Sequence, residues 1–281
     1  MATLLSEIRE ICRLLEIKPA RSKGQNFLIN ERIYQRIVAE ADLKDDETVL
    51  EVGPGLGFLT LALAAQAKRV LAVELDDRLA QYLQSGVAAA NLSNIQIFNE
   101  DILKFNLAKQ LLPGESYKIV ANLPYNITAI FLRMFLSAPQ QPQLLVLMLQ
   151  KEVAERLIAQ PPKMNLLALS VQYYAKVTIV REVKAGNFWP EPQVDSAIVK
   201  LEVKEGARDL EEEKLFFRLL RSGFSAKRKM LKNNLANSLK ISGDLVKTAL
   251  ENSKLDMSLR AEQLSLADWQ RLLAELRDFM L

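Results

Sequence analysis

Thr48-Val49-Leu50-Glu51-Val52-Gly53-Pro54-Gly55-Leu56-Gly57 is the stretch whose reading decides the fold. Thr48 to Val52 is largely apolar or β-branched, as in a strand buried on both faces within a parallel sheet. Glycines at 53, 55 and 57 then lead into the helical apolar spacing of Phe58 to Ala67. Strand, glycine turn and helix make the first unit of a doubly wound nucleotide-binding fold. Residues without side chains there let the backbone approach a ligand at the carboxyl end of the strand. A dinucleotide fingerprint, G-x-G-x-x-G, needs a third glycine where this chain has Phe58.

Moving downstream, a second strand, Arg69 to Val73, ends at Glu74, with Asp76 following. A carboxylate in that place can accept both ribose hydroxyl protons. With this acid, the pattern E-x-G-x-G-x-G over Glu51 to Gly57 resembles the motif of methyltransferases that use S-adenosylmethionine (SAM). A helix over Arg78 to Ala90 leads to a third strand, Ile95 to Phe98, closed by Asn99-Glu100-Asp101. Asp101 is placed either to meet the adenine edge of a cofactor or to cap a turn. The fourth strand, Lys118 to Ala121, runs into Asn122-Leu123-Pro124-Tyr125. Gly53, Glu74, Asp101 and Asn122 thus end successive strands, on the edge where open α/β sheets bind ligands.

Asn122 to Tyr125 reads as a strand-ending turn or as a catalytic clamp. An exocyclic amine on adenine is a poor nucleophile because its lone pair is delocalised into the ring. The Asn122 side-chain oxygen and the Leu123 carbonyl can each accept one N–H and draw that lone pair out of conjugation. Tyr125 can stack on the base, and Pro124 stiffens the turn.

Upstream, Leu4, Leu5, Ile8, Cys12 and Leu15 recur at helical spacing up to Lys18-Pro19. Lys18, Arg21 and Lys23 precede Gly24-Gln25-Asn26-Phe27-Leu28, a solvated loop or a lid that carries cations toward phosphate. A helix over Glu31 to Ala41 starts at the cap Asn30. Further along come a helix over Ile127 to Leu136 and a strand over Leu144 to Leu149. A helix opening at Gln150 to Arg156, a helix over Leu166 to Tyr174 and a strand over Thr178 to Val183 follow. Pro190 and Pro192 predict a stiff loop from Phe188 to Ser196, with Phe188 and Trp189 on it, before a last strand, Ala197 to Val203.

Beyond Glu205-Gly206-Ala207-Arg208-Asp209 only helical patterns remain, so residues 1–205 are expected to form the α/β domain and 206–281 a helical one. From Lys214 to Lys240 the chain carries eight Lys or Arg residues and no Asp or Glu, centred on Lys227-Arg228-Lys229. An unmixed basic run of this kind favours phosphate binding over an ordinary solvated face.

Composition narrows the chemistry. The 281 residues contain no histidine and one cysteine, Cys12. Ser-His and Cys-His nucleophile pairs, His-ligated zinc, cysteine metal clusters and an intrachain disulfide are thereby excluded, and no metal is expected. No apolar run approaches the roughly 20 residues that span a bilayer, and Met1 to Glu7 do not begin a signal peptide, so a cytoplasmic chain without membrane contact is expected. The net charge of +3 says little about partners.

Together these residues resemble the ribosomal RNA adenine N6,N6-dimethyltransferases of the KsgA/RsmA type. The matching segments are Gly24 to Leu28, Glu51 to Gly57, Glu74, Asp101, Asn122 to Tyr125, Leu149 to Arg156, Phe188 to Ser196, Phe224 to Leu235 and Leu264-Ser265, in one order along nearly the whole chain. The resemblance implies a Rossmann-like SAM-dependent methyltransferase domain with a small helical C-terminal domain, acting as a monomer. Its implied substrate is a pair of adjacent adenosines in the 3′-terminal hairpin of small-subunit ribosomal RNA, met in a 30S assembly intermediate. It also implies cofactor contacts from Asn26, Leu28, Gly53, Gly55, Glu74, Asp101 and Asn122. The target base would be held by Asn122, Leu123, Pro124 and Tyr125 with Phe188 stacked on it, and the RNA backbone by Lys227, Arg228, Lys229 and Lys232. The chain departs from the family pattern at Thr128-Ala129-Ile130, which has no proline, at Lys227 in an Arg-Arg-Lys run, and at Met164-Asn165 in place of a Tyr-Gly pair. A large-subunit dimethyltransferase of the macrolide-resistance type and a non-catalytic RNA-binding assembly factor are the competing readings.

Overall fold

The computed structural model describes residues 3–19, 25–124 and 126–280. By contact, the chain divides into two units, Met1–Ala154 with Lys176–Val203, and Glu155–Ala175 with Lys204–Leu281.

The first unit is built on a seven-stranded sheet. Its strands are β2 (Thr48–Val52), β3 (Arg69–Glu74), β4 (Ile95–Asn99), β5 (Tyr117–Asn122), β6 (Leu144–Gln150), β7 (Ala175–Val183) and β9 (Ser196–Val203), in the order β4-β3-β2-β5-β6-β9-β7. Neighbours from β4 to β6 pair in parallel, and β9 pairs antiparallel with β6. All five residues of β2 are buried, as are Lys118 to Ala121 in β5. This two-sided burial is why both strands read as largely apolar runs. From β2 the chain steps out to β3 and β4, then returns to the other side of β2 to form β5. Between β2 and β5 the strand order reverses, and the crevice at their carboxyl ends is the place where such sheets take ligands.

Helices α2 (Glu31–Ala41), α3 (Phe58–Ala64), α4 (Asp77–Ala89) and α5 (Thr128–Leu136) connect the strands. Asn30 caps α2 by accepting the Arg32 N–H at 3.1 Å, as expected. Asp76 caps α4 by accepting the Arg78 and Leu79 N–H groups. Helix α3 stops short of Ala67, which is still buried, so the apolar pattern outlasts the helix. Helix α1 (Leu4–Leu14) buries Ile8 and Cys12 in a small cluster with Leu56 of the glycine turn and Leu79 of α4.

Phe188–Trp189 differs from expectation. It is a short strand, β8, paired antiparallel with β1 (Phe27–Leu28). Both prolines follow these residues, so their N–H groups remain free to pair.

The second unit is helical, with α7 (Leu166–Tyr174), α8 (Leu210–Gly223), α9 (Leu231–Leu239), α10 (Gly243–Asn252) and α11 (Leu266–Leu276); α6 (Lys151–Leu157) carries the chain into it from β6. Its core gathers Phe216, Leu219, Leu235, Leu250, Trp269 and Leu272, and it includes Met164, Ala168 and Leu169. The expected division at residue 205 is therefore incomplete, because residues 155–175 group with the helical unit. Apolar side chains on α7 carry no sequence mark of which core they join. The Met164-Asn165 departure falls at the start of α7. Met164 is buried in this core, while Asn165 caps α7 by accepting the Ala168 N–H at 2.9 Å.

Among the described residues no helix is long and apolar enough to cross a membrane.

Candidate functional site

The switch point holds a cavity of about 100 Å³. Gly53, Gly55 and Gly57 form its turn with φ of +69°, +61° and +87°, values in the left-handed region that other residues adopt at a cost. At Gly57 the missing side chain also matters for packing, since a Cβ would lie 2.4 Å from Leu83 Cδ2. Glu74 holds the turn in place. One carboxylate oxygen accepts the Gly55 N–H at 3.0 Å and the other accepts the Asp76 N–H at 2.9 Å. Burial pushes the Glu74 carboxyl up, and these backbone hydrogen bonds oppose that rise.

The opposite wall comes from residues 25–28. Tyr34 of α2 donates its hydroxyl to the Leu28 carbonyl at 2.9 Å, and the Ile29 N–H donates to the Asn187 carbonyl at 2.8 Å. Gln25 donates to Asp76 at 3.1 Å. The segment is thus held from α2, from the β8 side and from α4, and this sets Asn26 across from Asn122. Asn122 Nδ2 donates to the Asn26 carbonyl at 3.4 Å.

Of the residues singled out from sequence, Asn26, Leu28, Gly53, Gly55, Glu74, Asn122 and Pro124 line this cavity together. Leu123 is buried just behind the rim, its N–H donating to the Met148 carbonyl at 3.3 Å. Asp101 does not line the cavity; its carboxylate accepts the Leu103 N–H at 3.0 Å and holds the turn after β4. Phe188 is only 3% exposed, packed in the core with Leu28, Ile33 and Val183. Phe188 does not line the cavity. A ring one residue along, Trp189, is half-buried, with the Arg9 guanidinium carbon 5.6 Å from its centroid. Tyr125, Arg21, Lys23 and Gly24 lie outside the described residues.

Sequence reasoning passed over several cavity residues. Tyr34, Phe58 and, above all, Glu51 line it. In the sequence Glu51 stands out only as the acid opening the glycine motif. It is 1% exposed, and neither carboxyl oxygen has a hydrogen-bond partner; Asn26 Oδ1 and Thr60 Oγ1 are likewise buried and unpartnered. Burial pushes the Glu51 carboxyl up to about 8, with the charge of Glu74 adding to the rise and the nearby Thr60 hydroxyl opposing it without completing a hydrogen bond. An acid among unpartnered polar atoms in a cleft marks a binding site.

In the helical unit, Lys227, Arg228 and Lys229 are exposed in the turn between α8 and α9, and Lys232 is partly buried at the start of α9. The buried Asn234 amide donates to the Gly223 carbonyl at 2.6 Å and the Ala226 carbonyl at 3.0 Å, which shapes this turn from below. Two other cations of the basic run are engaged locally. Lys214 pairs with Glu211 at 2.7 Å, and Arg218 donates to the Met280 carbonyl.

Glu51 makes stability depend on pH. The folded protein keeps this proton up to about 8 while an unfolded glutamate releases it near 4.5, so the folded state binds the extra proton and stability falls as pH rises through that window. The melting temperature of the ligand-free protein is expected to decline from pH 5 to 8, with a slope of at most about 1.4 kcal/mol per pH unit from this group. Glu51→Gln, which cannot ionise, should flatten the profile; a wild-type melting temperature constant over the window contradicts the assignment.

Comparison with known proteins agrees with this geometry. The family model "Ribosomal RNA adenine dimethylase" matches residues 18–278. The chain is 42% identical over 271 residues to "Ribosomal RNA small subunit methyltransferase A" of Dehalococcoides mccartyi, covering 96% of this chain and 92% of that one. It is 37% identical over 267 residues to the protein so named in Clostridium botulinum, with 94% and 96% covered. Among solved structures, a dimethyladenosine transferase from Plasmodium falciparum superposes with a TM-score of 0.78 at 29% identity, covering 90% of this chain and 98% of that one. The 23S rRNA methyltransferase ErmE does so with a TM-score of 0.73 at 27% identity, covering 90% and 100%. A glycine turn pinned by Glu74 at the switch point, carried on a chain matched from end to end, places this protein in the ribosomal RNA adenine dimethylase family, as a SAM-dependent methyltransferase that acts on adenine in ribosomal RNA.

Proposed function

We propose that this enzyme dimethylates the N6 amines of two adjacent adenosines in the 3′-terminal hairpin of small-subunit ribosomal RNA, in a 30S assembly intermediate, as a cytoplasmic monomer. The observation that carries the choice of subunit is the extent of likeness to small-subunit methyltransferases, 42% and 37% over nearly the full chain, against 27% for ErmE.

The residues of the cavity suit the cofactor. Three left-handed glycines leave backbone uncovered by side chains at alternate positions of the turn, and Glu74 retains lone pairs for ribose hydroxyls after accepting its two backbone N–H groups. SAM would supply a methyl group on a sulfonium, whose sulfur is a good leaving group because it departs as a neutral thioether. Asn122 prepares the nucleophile. Its amide nitrogen is turned toward the Asn26 carbonyl, which leaves Oδ1 as the acceptor for the adenine amine. The Leu123 carbonyl is the second acceptor, and Pro124 on the cavity wall stiffens the turn that carries both. Holding the amine in this way supplies orientation and hydrogen bonding where the amine turns tetrahedral. Tyr125 is assigned to the base face on the strength of the motif. Lys227, Arg228, Lys229 and Lys232 are assigned to the phosphate backbone, which their sign and the exposure of the first three support.

Incubation with radiolabelled methyl donor tests the reading. Label is expected in unmethylated 30S particles and not in naked large-subunit RNA; label confined to the latter, or to neither, refutes it. Asn122→Ala should lower the rate of methyl transfer by about 10²-fold or more, as for loss of a transition-state donor or acceptor. Its RNA affinity should stay near wild type, and loss of both in a folded variant counts against the clamp. Arg228→Glu should weaken RNA binding and reduce the salt slope while leaving SAM affinity alone. An unchanged salt titration contradicts the backbone contact.

A further inference from the structure

Two asparagines outside the cavity, Asn30 and Asn187, share a bond that neither needs for its own element. Asn30 caps α2 through Oδ1, which accepts the Arg32 N–H at 3.1 Å. Its Nδ2 donates to Asn187 Oδ1 at 2.8 Å, across 157 residues of chain. Neither amide can turn over without loss, because the Arg32 N–H needs an oxygen and the Lys184 carbonyl takes the Asn187 Nδ2 at 3.0 Å. A cap alone does not call for asparagine, since serine, threonine or aspartate serves as well.

The bond falls where the cavity wall is least determined. β1 and β8 pair through two residues each, Phe27 with Trp189 and Leu28 with Phe188. So short a ladder fixes its register weakly, and a slip of one residue would exchange the faces of Phe27 and Leu28. Asn187 closes the ladder twice, its carbonyl accepting the Ile29 N–H at 2.8 Å and its side chain accepting from Asn30. The turn behind it is firm. The Asn187 N–H donates to the Lys184 carbonyl at 2.9 Å, and the Asp195 carboxylate accepts from the Ala185 N–H at 3.0 Å and the Lys184 ammonium at 2.8 Å. At the other end of the ladder stands Asn26, whose carbonyl accepts from Asn122 Nδ2 at 3.4 Å. A bond that long has little margin, so a small outward displacement of the wall releases the Asn122 amide. A released amide can turn its N–H groups toward the adenine amine, which itself presents N–H.

We propose that Asn30 and Asn187 are a positioning pair for methyl transfer. Their bond holds residues 26–29 in register, and through the Asn26 carbonyl it keeps the Asn122 oxygen aimed at the adenine amine. Neither side chain touches the reacting atoms. The inference rests on the clamp role of Asn122 given above.

Steady-state methyl transfer to the ribosomal RNA that the wild-type enzyme labels tests the pair. Asn30→Ser keeps a capping oxygen but is too short to reach Asn187, and Asn187→Leu keeps the shape without the acceptor. Each is expected to lower kcat about tenfold, with KM for RNA within about twofold. The double variant should be no slower than the slower single, because the same bond is lost in all three. Asn187→Asp, which keeps an acceptor for Asn30, should bring kcat to within about threefold of wild type. A role in folding alone would instead reduce the fraction of protein that binds S-adenosylhomocysteine, counted by titration, with kcat per binding-competent molecule unchanged. That outcome, or additive losses in the double variant, overturns the pair while leaving the clamp intact. Asn30→Ser decides the matter if Asn187→Leu does not fold. Should Asn122→Ala transfer methyl at the wild-type rate, the clamp falls and the pair with it.

Discussion

The site depends on one hydrogen bond that crosses between neighbouring strand ends, the Gly55 N–H to the Glu74 carboxylate at 3.0 Å. It joins the turn after β2 to the end of β3, and Glu74 completes the link by accepting the Asp76 N–H that opens α4. A turn of three left-handed glycines has much conformational freedom to lose. A buried carboxylate with charge-assisted bonds to two backbone segments is the kind of partner that restrains it. Parallel pairing then carries the order across the sheet, because Val52 lies opposite both Val73 and Ala121. Gly53, Glu74 and Asn122 consequently emerge at one level.

The second wall is equally a matter of hydrogen bonding between distant segments. Residues 26–30 form little regular structure of their own. They are fixed because β1 finds two residues of β8, because Asn30 both caps α2 and donates to Asn187 at 2.8 Å, and because Tyr34 reaches back to Leu28. These contacts position the Asn26 carbonyl that turns the Asn122 amide. Phe188 takes part in this wall from within the core, in one buried cluster with Leu28 of β1.

The helical unit shows the same economy at its basic turn. A Cβ on Gly223 would lie 2.3 Å from Trp269 Cη2, so the chain passes closely over the indole where α8 ends. Phe224 then stacks on Trp269 with ring centroids 5.8 Å apart. Asn234 closes the turn with two side-chain donations, and the cations that follow are left in solvent. Shape is set by the buried residues, while charge is displayed by the exposed ones.

By itself, the sequence determined the strand, turn and helix pattern, the acids and amides at the strand ends, and the absence of imidazole chemistry. Each of these is local, readable from periodicity, from residues that tolerate left-handed backbone and from composition. Tertiary structure alone decided which of those residues share a cavity. Asp101 and Glu74 look alike as strand-end acids, yet one accepts its own turn and the other reaches across to Gly55. Whether Phe188 is buried depends on pairing with a strand some 160 residues earlier in the chain, a separation at which local pattern carries no information. Glu51 was hidden for the same reason. An acid in an apolar strand is visible, but whether anything answers its charge depends on α2, α3 and β3 folding around it.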